Sequence, residues 1–133
     1  MTAPLILCAD DDADILSLVS LQLERAGFRV LQAVDGDAAL EAAHVARPAL
    51  AVLDVMMPKR TGYEVLAALR ADPAFAELRV ILLSARVQDA DVERGLTAGA
   101  DAYLAKPFKA ADLVAKVREL LGREGGSSPS QRR

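Results

Sequence analysis

Five short apolar segments recur along the chain and alternate with longer amphipathic segments. Each apolar segment is bounded by turn-forming or charged residues, as is typical of β-strands. The apolar residues are nearly continuous rather than alternating, which is the pattern of strands buried on both faces of a parallel sheet. The predicted strands are LILCA (5–9), RVLQA (29–33), LAVLD (50–54), RVILLS (79–84) and AYLA (102–105).

The segments that follow the strands have the spacing of amphipathic helices. In the first of them, Leu16, Val19 and Leu23 share one helical face, and Gly27 follows where a helix commonly ends. Strict alternation of strand and helix predicts an α/β fold, a doubly wound parallel sheet with helices on both faces and right-handed crossovers. The predicted helices are Ala13–Ala26, Asp37–Arg47, Gly62–Ala71, Asp89–Ala98 and Ala110–Leu121.

Length and composition limit what such a chain can do. The 133 residues are enough for one domain with a real core, predicted here over residues 1–121. Residues 122–133, GREGGSSPSQRR, are typical of a flexible tail or linker. The net charge of −3 without a basic stripe argues against direct nucleic-acid binding by this domain, and no apolar run is long enough to span a membrane. A single cysteine allows no internal disulfide, so we expect a cytoplasmic protein.

Polar residues follow the predicted strands at their carboxyl ends. Asp10 and Asp11 follow the first strand, Asp54 ends the third, Ser84 ends the fourth and Lys106 follows the fifth. Ligand sites of open parallel sheets lie at this edge, at the point where the strand order reverses. Each residue alone has an ordinary interpretation as a turn former, a helix cap or a solvated charge. Together they predict one site built from segments scattered along the chain.

The acidic run ADDDAD indicates what that site binds. Four carboxylates lie within five residues, at Asp10, Asp11, Asp12 and Asp14, although Asp12 and Asp14 also suit the start of the first helix. Like unit charges ~4 Å apart repel by roughly 4 kcal/mol at an effective dielectric near 20. Carboxylates with retained waters suit Mg²⁺, and a carboxylate can act as a nucleophile toward phosphorus. The sequence therefore favours a magnesium-dependent phosphoryl-transfer site.

Four motifs resemble the receiver domains of two-component response regulators. They are ILCADDDADIL, LAVLDVMMPKRTGYEVL, VILLSAR and GADAYLAKPF, and the resemblance extends from Leu5 to Leu121. Their order and spacing together make it specific. The resemblance implies a flavodoxin-like (β/α)5 fold, with strand order 2-1-3-4-5, and phosphorelay signal transduction by a phosphoprotein.

The resemblance also implies a role for each site residue. Asp54 corresponds to the phosphorylated aspartate. Asp11, Asp54 and the backbone carbonyl of Met56 correspond to the direct Mg²⁺ ligands, and Asp10 to a residue that acts mainly through a metal-bound water.

The remaining implied roles concern phosphoryl binding and switching. Lys106 would contact the phosphoryl oxygens, and Ser84 would close onto the phosphate as the switch hydroxyl. Tyr103 matches the aromatic residue that moves inward when the hydroxyl does. The peptide bond before Pro107 is expected to be cis, which only proline accommodates at low cost.

By the same resemblance, the partners are a sensor histidine kinase or phosphotransfer protein and a downstream target or effector domain. The target surface is expected on the face formed by the fourth predicted helix, the fifth strand and the last helix. Asp101, Lys116 and Arg118 offer charges there, but other positions expected to be charged are not, at Val92, Thr97 and Ala102. We therefore expect a monomer or a weak dimer. The domain would not be an enzyme beyond its own phosphorylation and dephosphorylation.

Two alternative functions stay open at this stage. A phosphatase resembling the haloacid dehalogenase group uses D-x-D after its first strand, and that spacing occurs from Asp10 to Asp12 and from Asp12 to Asp14. A pseudo-receiver would act by binding alone, without phosphorylation. The only histidine, His44, lies in the middle of a predicted helix near the opposite end of the sheet. It is therefore not expected to act as a phosphodonor or as a catalytic base.

Overall fold

The strands form one parallel five-stranded sheet in the order β2-β1-β3-β4-β5. The structure is a computed structural model that describes residues 3–85, 93–94 and 96–122. The flavodoxin-like order is confirmed, and all five strands have the predicted bounds. They are β1 (Leu5–Ala9), β2 (Arg29–Ala33), β3 (Leu50–Asp54), β4 (Arg79–Ser84) and β5 (Ala102–Ala105).

The helices also follow the predicted pattern, with small differences at their ends. The predicted helix Asp89–Ala98 falls largely outside the described residues, although residues 93–94 and 96–97 are helical. The predicted tail lies outside them from residue 123 onward. The described helices are α1 (Ala13–Arg25), α2 (Gly36–Ala46), α3 (Gly62–Arg70), the 3-10 helix Pro73–Phe75 and the C-terminal helix (Ala110–Leu121).

Helix α2 starts and ends one residue earlier than predicted, and its caps give the reason. The side chain of Asp35 accepts a hydrogen bond from the backbone N–H of Ala38, so the helix begins directly after Asp35. At the other end, Arg47 has a left-handed backbone with a φ of 52°. Pro48 disfavours a helical conformation in the residue before it, which ends the helix there.

The core has two layers, one on each face of the sheet. In β1, Ile6 and Cys8 point to the layer that contains α1 and the C-terminal helix, and Leu7 and Ala9 point to the layer that contains α2 and α3. All four side chains are nearly fully buried, which explains the continuous apolar pattern of the strand. Burial raises the pKa of the Cys8 thiol to about 12, so this group stays protonated at neutral pH.

The strand order reverses at the junction of β1 with its neighbours. The chain passes from β1 to β2 on one side, whereas β3, β4 and β5 extend the sheet on the other side. The carboxyl ends of β1 and β3 are therefore adjacent at the point where ligands bind in open α/β sheets.

Candidate functional site

Three carboxylates meet at the adjacent ends of β1 and β3. Asp10 and Asp11 directly follow β1, and Asp54 is the last residue of β3. One carboxylate oxygen from each lies within 4.8 Å of the others, a spacing at which the three could share one metal ion. Asp10 and Asp54 are 2% and 5% exposed, whereas Asp11 is exposed. The cluster is thus buried on one side and open to solvent on the other.

Lys106 reaches this cluster from the end of β5. Its Nζ lies 2.9 Å from Oδ2 of Asp10 and 3.1 Å from Oδ1 of Asp54. Its backbone N–H donates to the carbonyl of Ser84 over 2.8 Å, which fixes the start of the loop after β5 against the end of β4. The peptide bond between Lys106 and Pro107 is cis. Lys106 and Asp10 are therefore in direct contact although they lie 96 residues apart in the sequence.

The cluster favours the binding of a further cation. Three carboxylates and one ammonium leave a formal charge of −2 (−3 + 1) when all are ionised. Burial raises the pKa of Asp54 to about 6, and the charge of Asp10 adds to the effect, while Lys106 opposes it. Burial acts to lower the pKa of Lys106, but its hydrogen bonds to Asp10 and Asp54 outweigh this, so that the pKa is raised. A hard divalent cation with oxygen ligands would supply the positive charge that the site lacks.

The loop between β3 and α3 passes close beneath Asp54. The backbone N–H of Gly62 donates to the carbonyl of Val55 over 2.8 Å. A Cβ at position 62 would lie 2.5 Å from the carbonyl oxygen of Asp54, so that only glycine fits without displacement. Thr61 forms a reciprocal capping box with Glu64 and so fixes the first turn of α3. Met56, in this loop, has an exposed side chain. Because this side chain is a thioether, the backbone carbonyl is the oxygen that Met56 can offer to a metal.

Ser84 and Tyr103 lie on the β4–β5 side of the site. Ser84 is 2% exposed at the carboxyl end of β4, and Tyr103 is half-buried in β5. Both line a recess of about 150 Å³. The other residues that line this recess are Val55, Met56, Thr61, Tyr63 and Arg94.

Asp12, in the same N-terminal acidic run, has a structural role. The side chain of Asp12 accepts hydrogen bonds from the backbone N–H groups of Asp14 and Ile15, and it caps α1. Asp10 in turn accepts from the backbone N–H of Asp12 over 2.9 Å. The three carboxylates that could share a metal ion are therefore Asp10, Asp11 and Asp54, and the third of them comes from β3. A D-x-D run does not supply the cluster, and this geometry argues against the phosphatase alternative.

His44 lies at the other end of the sheet. Its Nδ1 donates to the carbonyl of Leu40 over 2.9 Å, and its Nε2 lies 3.5 Å from Asp72, which precedes the 3-10 helix. Its ring packs edge-on against Phe75, with centroids 5.1 Å apart. These contacts account for it as a surface residue of α2, as the sequence predicts.

The charges considered for an intermolecular face contact their own chain. Asp101 accepts from Arg70 over 3.1 Å and from the backbone N–H of Val80 over 2.8 Å. Lys116 pairs with Glu119 one helical turn away on the C-terminal helix. Asp101 therefore fixes the start of β5 to α3 and β4.

Sequence reasoning missed several residues around the site. Arg60 pairs with Asp37 over 2.7 Å, and Lys59 lies 3.7 Å from Asp35, so that the loop after Asp54 is tied to the start of α2. The sequence predicts Tyr63 only as a residue of the third helix. The two ion pairs had a signal in the sequence. The acidic segment DGD (35–37) follows β2, and the basic segment KR (59–60) follows β3.

Comparison with known proteins gives a consistent result. A family model described as "Response regulator receiver domain" matches residues 6–118. Transcriptional regulatory protein PrrA of Mycobacterium tuberculosis is 45% identical over 130 residues, which cover 98% of this chain and 55% of PrrA. DNA-binding dual master transcriptional regulator RpaA of Synechocystis is 45% identical over 90% of this chain and 50% of its own length. The chain thus spans about half the length of the curated relatives it matches.

Solved structures agree with the sequence matches. The receiver domain of the Francisella response regulator 1452 has a TM-score of 0.85 at 34% identity, covering 90% of this chain and 98% of that one. A BeF3-activated DrrB receiver domain has a TM-score of 0.83 at 36% identity, covering 91% and 99%. DrrB is described as an OmpR/PhoB homologue from Thermotoga maritima.

Among the residues that the structure describes, no helix combines the length and the apolarity needed to cross a membrane.

Proposed function

Because this chain belongs to the response regulator receiver domain family, we propose that Asp54 accepts a phosphoryl group from a partner histidine kinase or phosphotransfer protein and that the modification switches the domain. The observation that carries the proposal is the position of Asp54. It is a buried carboxylate within 3.1 Å of the Lys106 ammonium and within metal-sharing distance of Asp10 and Asp11.

Asp54 supplies the nucleophile. A carboxylate oxygen of Asp54 attacks the phosphorus of a phosphohistidine, forming an O–P bond as the P–N bond breaks and the imidazole leaves with the electron pair. The product is an acyl phosphate. Burial raises the pKa of Asp54 and so disfavours the ionised carboxylate that the attack needs. Positive charge bound at the site would favour that ionised form.

The neighbouring residues would place positive charge next to the negative oxygens of the transferred phosphoryl group. Asp11, Asp54 and the carbonyl of Met56 would hold Mg²⁺ directly, and Asp10 through a water. When bound, the ion withdraws charge from the phosphoryl oxygens. Lys106 is already within hydrogen-bond distance of Asp54 and would bind a second phosphoryl oxygen.

Switching would follow from the same contacts. A phosphoryl group on Asp54 adds negative charge and acceptor oxygens, which Ser84 and Lys106 satisfy only in one of two arrangements of the domain. Phosphorylation thereby shifts a pre-existing equilibrium rather than creating a new state. The chemistry of the domain is limited to its own phosphorylation and dephosphorylation, and its output is a change in binding to an effector domain or target.

The relatives suggest the kind of output. PrrA and RpaA are named as transcriptional regulators, and this chain matches about half of each. We infer that phosphorylation changes the surface near β5 and the C-terminal helix. Through this surface the domain would control a partner that regulates transcription. Nucleic acid is not expected to bind to this domain itself, since its net charge is −3.

The proposal is tested by treating the protein with phosphoramidate and Mg²⁺ and locating the modification by peptide mass spectrometry. One phosphoryl group on Asp54, absent without Mg²⁺ and absent in Asp54→Asn, is the expected result. Modification of Asp10 or Asp12 with multiple turnover of a phosphomonoester would support the phosphatase alternative. An unmodified protein that retains its fold would support the pseudo-receiver alternative.

A further inference from the structure

Two tyrosines meet beside the proposed switch residues. Tyr63 lies in the first turn of α3, and Tyr103 lies in β5. Their hydroxyl oxygens are 3.5 Å apart, which is a polar contact longer than the usual O–H···O hydrogen bond of about 2.5–3.0 Å. Both rings pack against the core layer that contains α2 and α3. The pair thus joins the helix after the acceptor loop to the strand that leads to Lys106.

Arg94 covers the ring of Tyr63. Its Cζ lies 4.2 Å from the ring centroid, which is the geometry of a cation–π contact. Arg94 belongs to the segment between β4 and β5, which follows Ser84 in the chain. Tyr63 is therefore held between Tyr103 and a cation from the segment adjacent to the switch hydroxyl.

The recess beside these residues has room for a ring. Its volume is about 150 Å³, and a cavity of this volume admits a benzene-sized molecule. Ser84 and Tyr103 both line it. Tyr63 and Arg94 line it as well, so a rotation of the Tyr103 side chain into the recess would change its contact with Tyr63.

We propose that Tyr63 and Arg94 form a latch that holds Tyr103 beside the recess and so opposes the switched arrangement. In the structure the hydroxyl of Tyr103 lies beside that of Tyr63, and Lys106 contacts the carboxylate of Asp54 directly. Any change that weakens the latch therefore favours the arrangement that Ser84, Lys106 and a phosphoryl group stabilise. Tyr63 and Arg94 are positioning residues, and this inference rests on the proposed function.

The size of the effect follows from the contact. A cation–π pair at an exposed site contributes enough free energy to change a two-state population about two- to fivefold. Because the proposed latch forms this contact in the unswitched arrangement only, removing it raises the apparent affinity for an anion that binds only the switched arrangement by up to the same factor.

The chain provides its own reporter for the test. It contains no tryptophan and only two tyrosines, which are Tyr63 and Tyr103. Protein labelled with 3-fluorotyrosine therefore gives two ¹⁹F resonances, and Tyr63→Phe identifies which belongs to Tyr103. Beryllofluoride with saturating Mg²⁺ serves as the phosphoryl probe, and the ¹⁹F titration gives its affinity.

Arg94→Gln is the principal variant because Arg94 is exposed and its loss does not threaten the fold. It is expected to bind beryllofluoride about two- to fivefold more tightly. In the absence of the probe, its Tyr103 resonance should move toward the position of the probe-bound wild type. Its Mg²⁺ affinity without beryllofluoride should be unchanged, since within the described part of the chain Arg94 forms no ion pair with Asp10, Asp11 or Asp54. Arg25→Gln, an exposed arginine on α1, is the matched control and should behave as wild type.

Equal or weaker beryllofluoride binding by Arg94→Gln would overturn the latch. A matching loss of Mg²⁺ affinity would also overturn it, since that would place the effect in the metal site. If wild type and variants all fail to bind the probe, the proposed function fails. The latch is then judged by the Tyr103 resonance alone, where a shift in Arg94→Gln but not in Arg25→Gln supports it and no shift refutes it.

Discussion

Asp54→Asn replaces a buried carboxylate with a neutral amide of nearly the same shape. Asp54 is 5% exposed, and its pKa is raised from 3.8 to about 6 by burial and by the charge of Asp10. Ionisation of this group at neutral pH therefore destabilises the metal-free domain. Two pKa units correspond to about 3 kcal/mol, and the amide avoids that cost. We expect Asp54→Asn to be more stable than wild type by about 3 kcal/mol, or roughly 10 °C in Tm, at pH 7 in EDTA.

The pH dependence of this difference has a definite sign. Between the unfolded pKa near 3.8 and the folded pKa near 6, the folded wild type binds more protons at Asp54 than the unfolded chain does. Stability of wild type relative to Asp54→Asn should therefore fall as the pH rises through this interval and should level off above it. Below the interval, the difference between the two proteins should be small.

The assay is urea unfolding followed by far-UV circular dichroism from pH 3.5 to pH 8, in EDTA and again in Mg²⁺. Because a ligand that binds only the folded state stabilises it, Mg²⁺ should raise the stability of wild type more than that of Asp54→Asn. Asp112→Asn, an exposed acid in the first turn of the C-terminal helix, is the control for the chemical change itself. An Asp54→Asn protein that is less stable than wild type at pH 7 in EDTA would refute the electrostatic reasoning.

Three further substitutions test other contacts of the site and the fold. Lys106→Met removes the ion pairs of Asp10 and Asp54. The free energy of unfolding, measured in urea with EDTA at pH 7, should fall by about 3–5 kcal/mol. An unchanged unfolding midpoint would contradict the ion-pair assignment. Gly62→Ala places a Cβ 2.5 Å from the carbonyl oxygen of Asp54. The free energy of unfolding in urea should fall by about 1–3 kcal/mol, and calorimetry should show weaker Mg²⁺ binding. Wild-type values would mean that the loop moves to accommodate the methyl group. Asp101→Asn removes the charge that accepts from Arg70 and should lower stability by about 1–3 kcal/mol without changing Mg²⁺ affinity.

The central strands β1, β3 and β4 were predictable because their residues are buried almost throughout, which the sequence shows as apolar runs. A strand such as β3 is buried along its whole length, and the four residues LAVL that precede Asp54 show this directly as a continuous apolar run. The convergence of Asp10, Asp54 and Lys106 was predictable for a related reason. Parallel strands bring their carboxyl ends to one edge, so that chain position was sufficient to bring these side chains together.

Contacts between side chains of different elements were not predictable in the same way. Tyr63 occupies a position typical of the first turn of an amphipathic helix, and nothing local indicates that its hydroxyl lies 3.5 Å from that of Tyr103. Asp101 was considered for an intermolecular contact because it lies near the predicted face, but its carboxylate is held by Arg70. Such pairings depend on side-chain direction and on the depth of each helix against the sheet, which periodicity does not specify.

The proposed function requires that Asp10, Asp11, Asp54 and Lys106 surround one divalent cation next to a phosphorylated carboxylate. The most direct test is a crystal structure of the protein grown with Mg²⁺ and beryllofluoride. We predict an ion bound by Asp11, Asp54 and the carbonyl of Met56, with beryllofluoride on Asp54 and in contact with Ser84 and Lys106. An anion bound elsewhere, or a pocket without ion and anion at saturating concentrations of both, would contradict it.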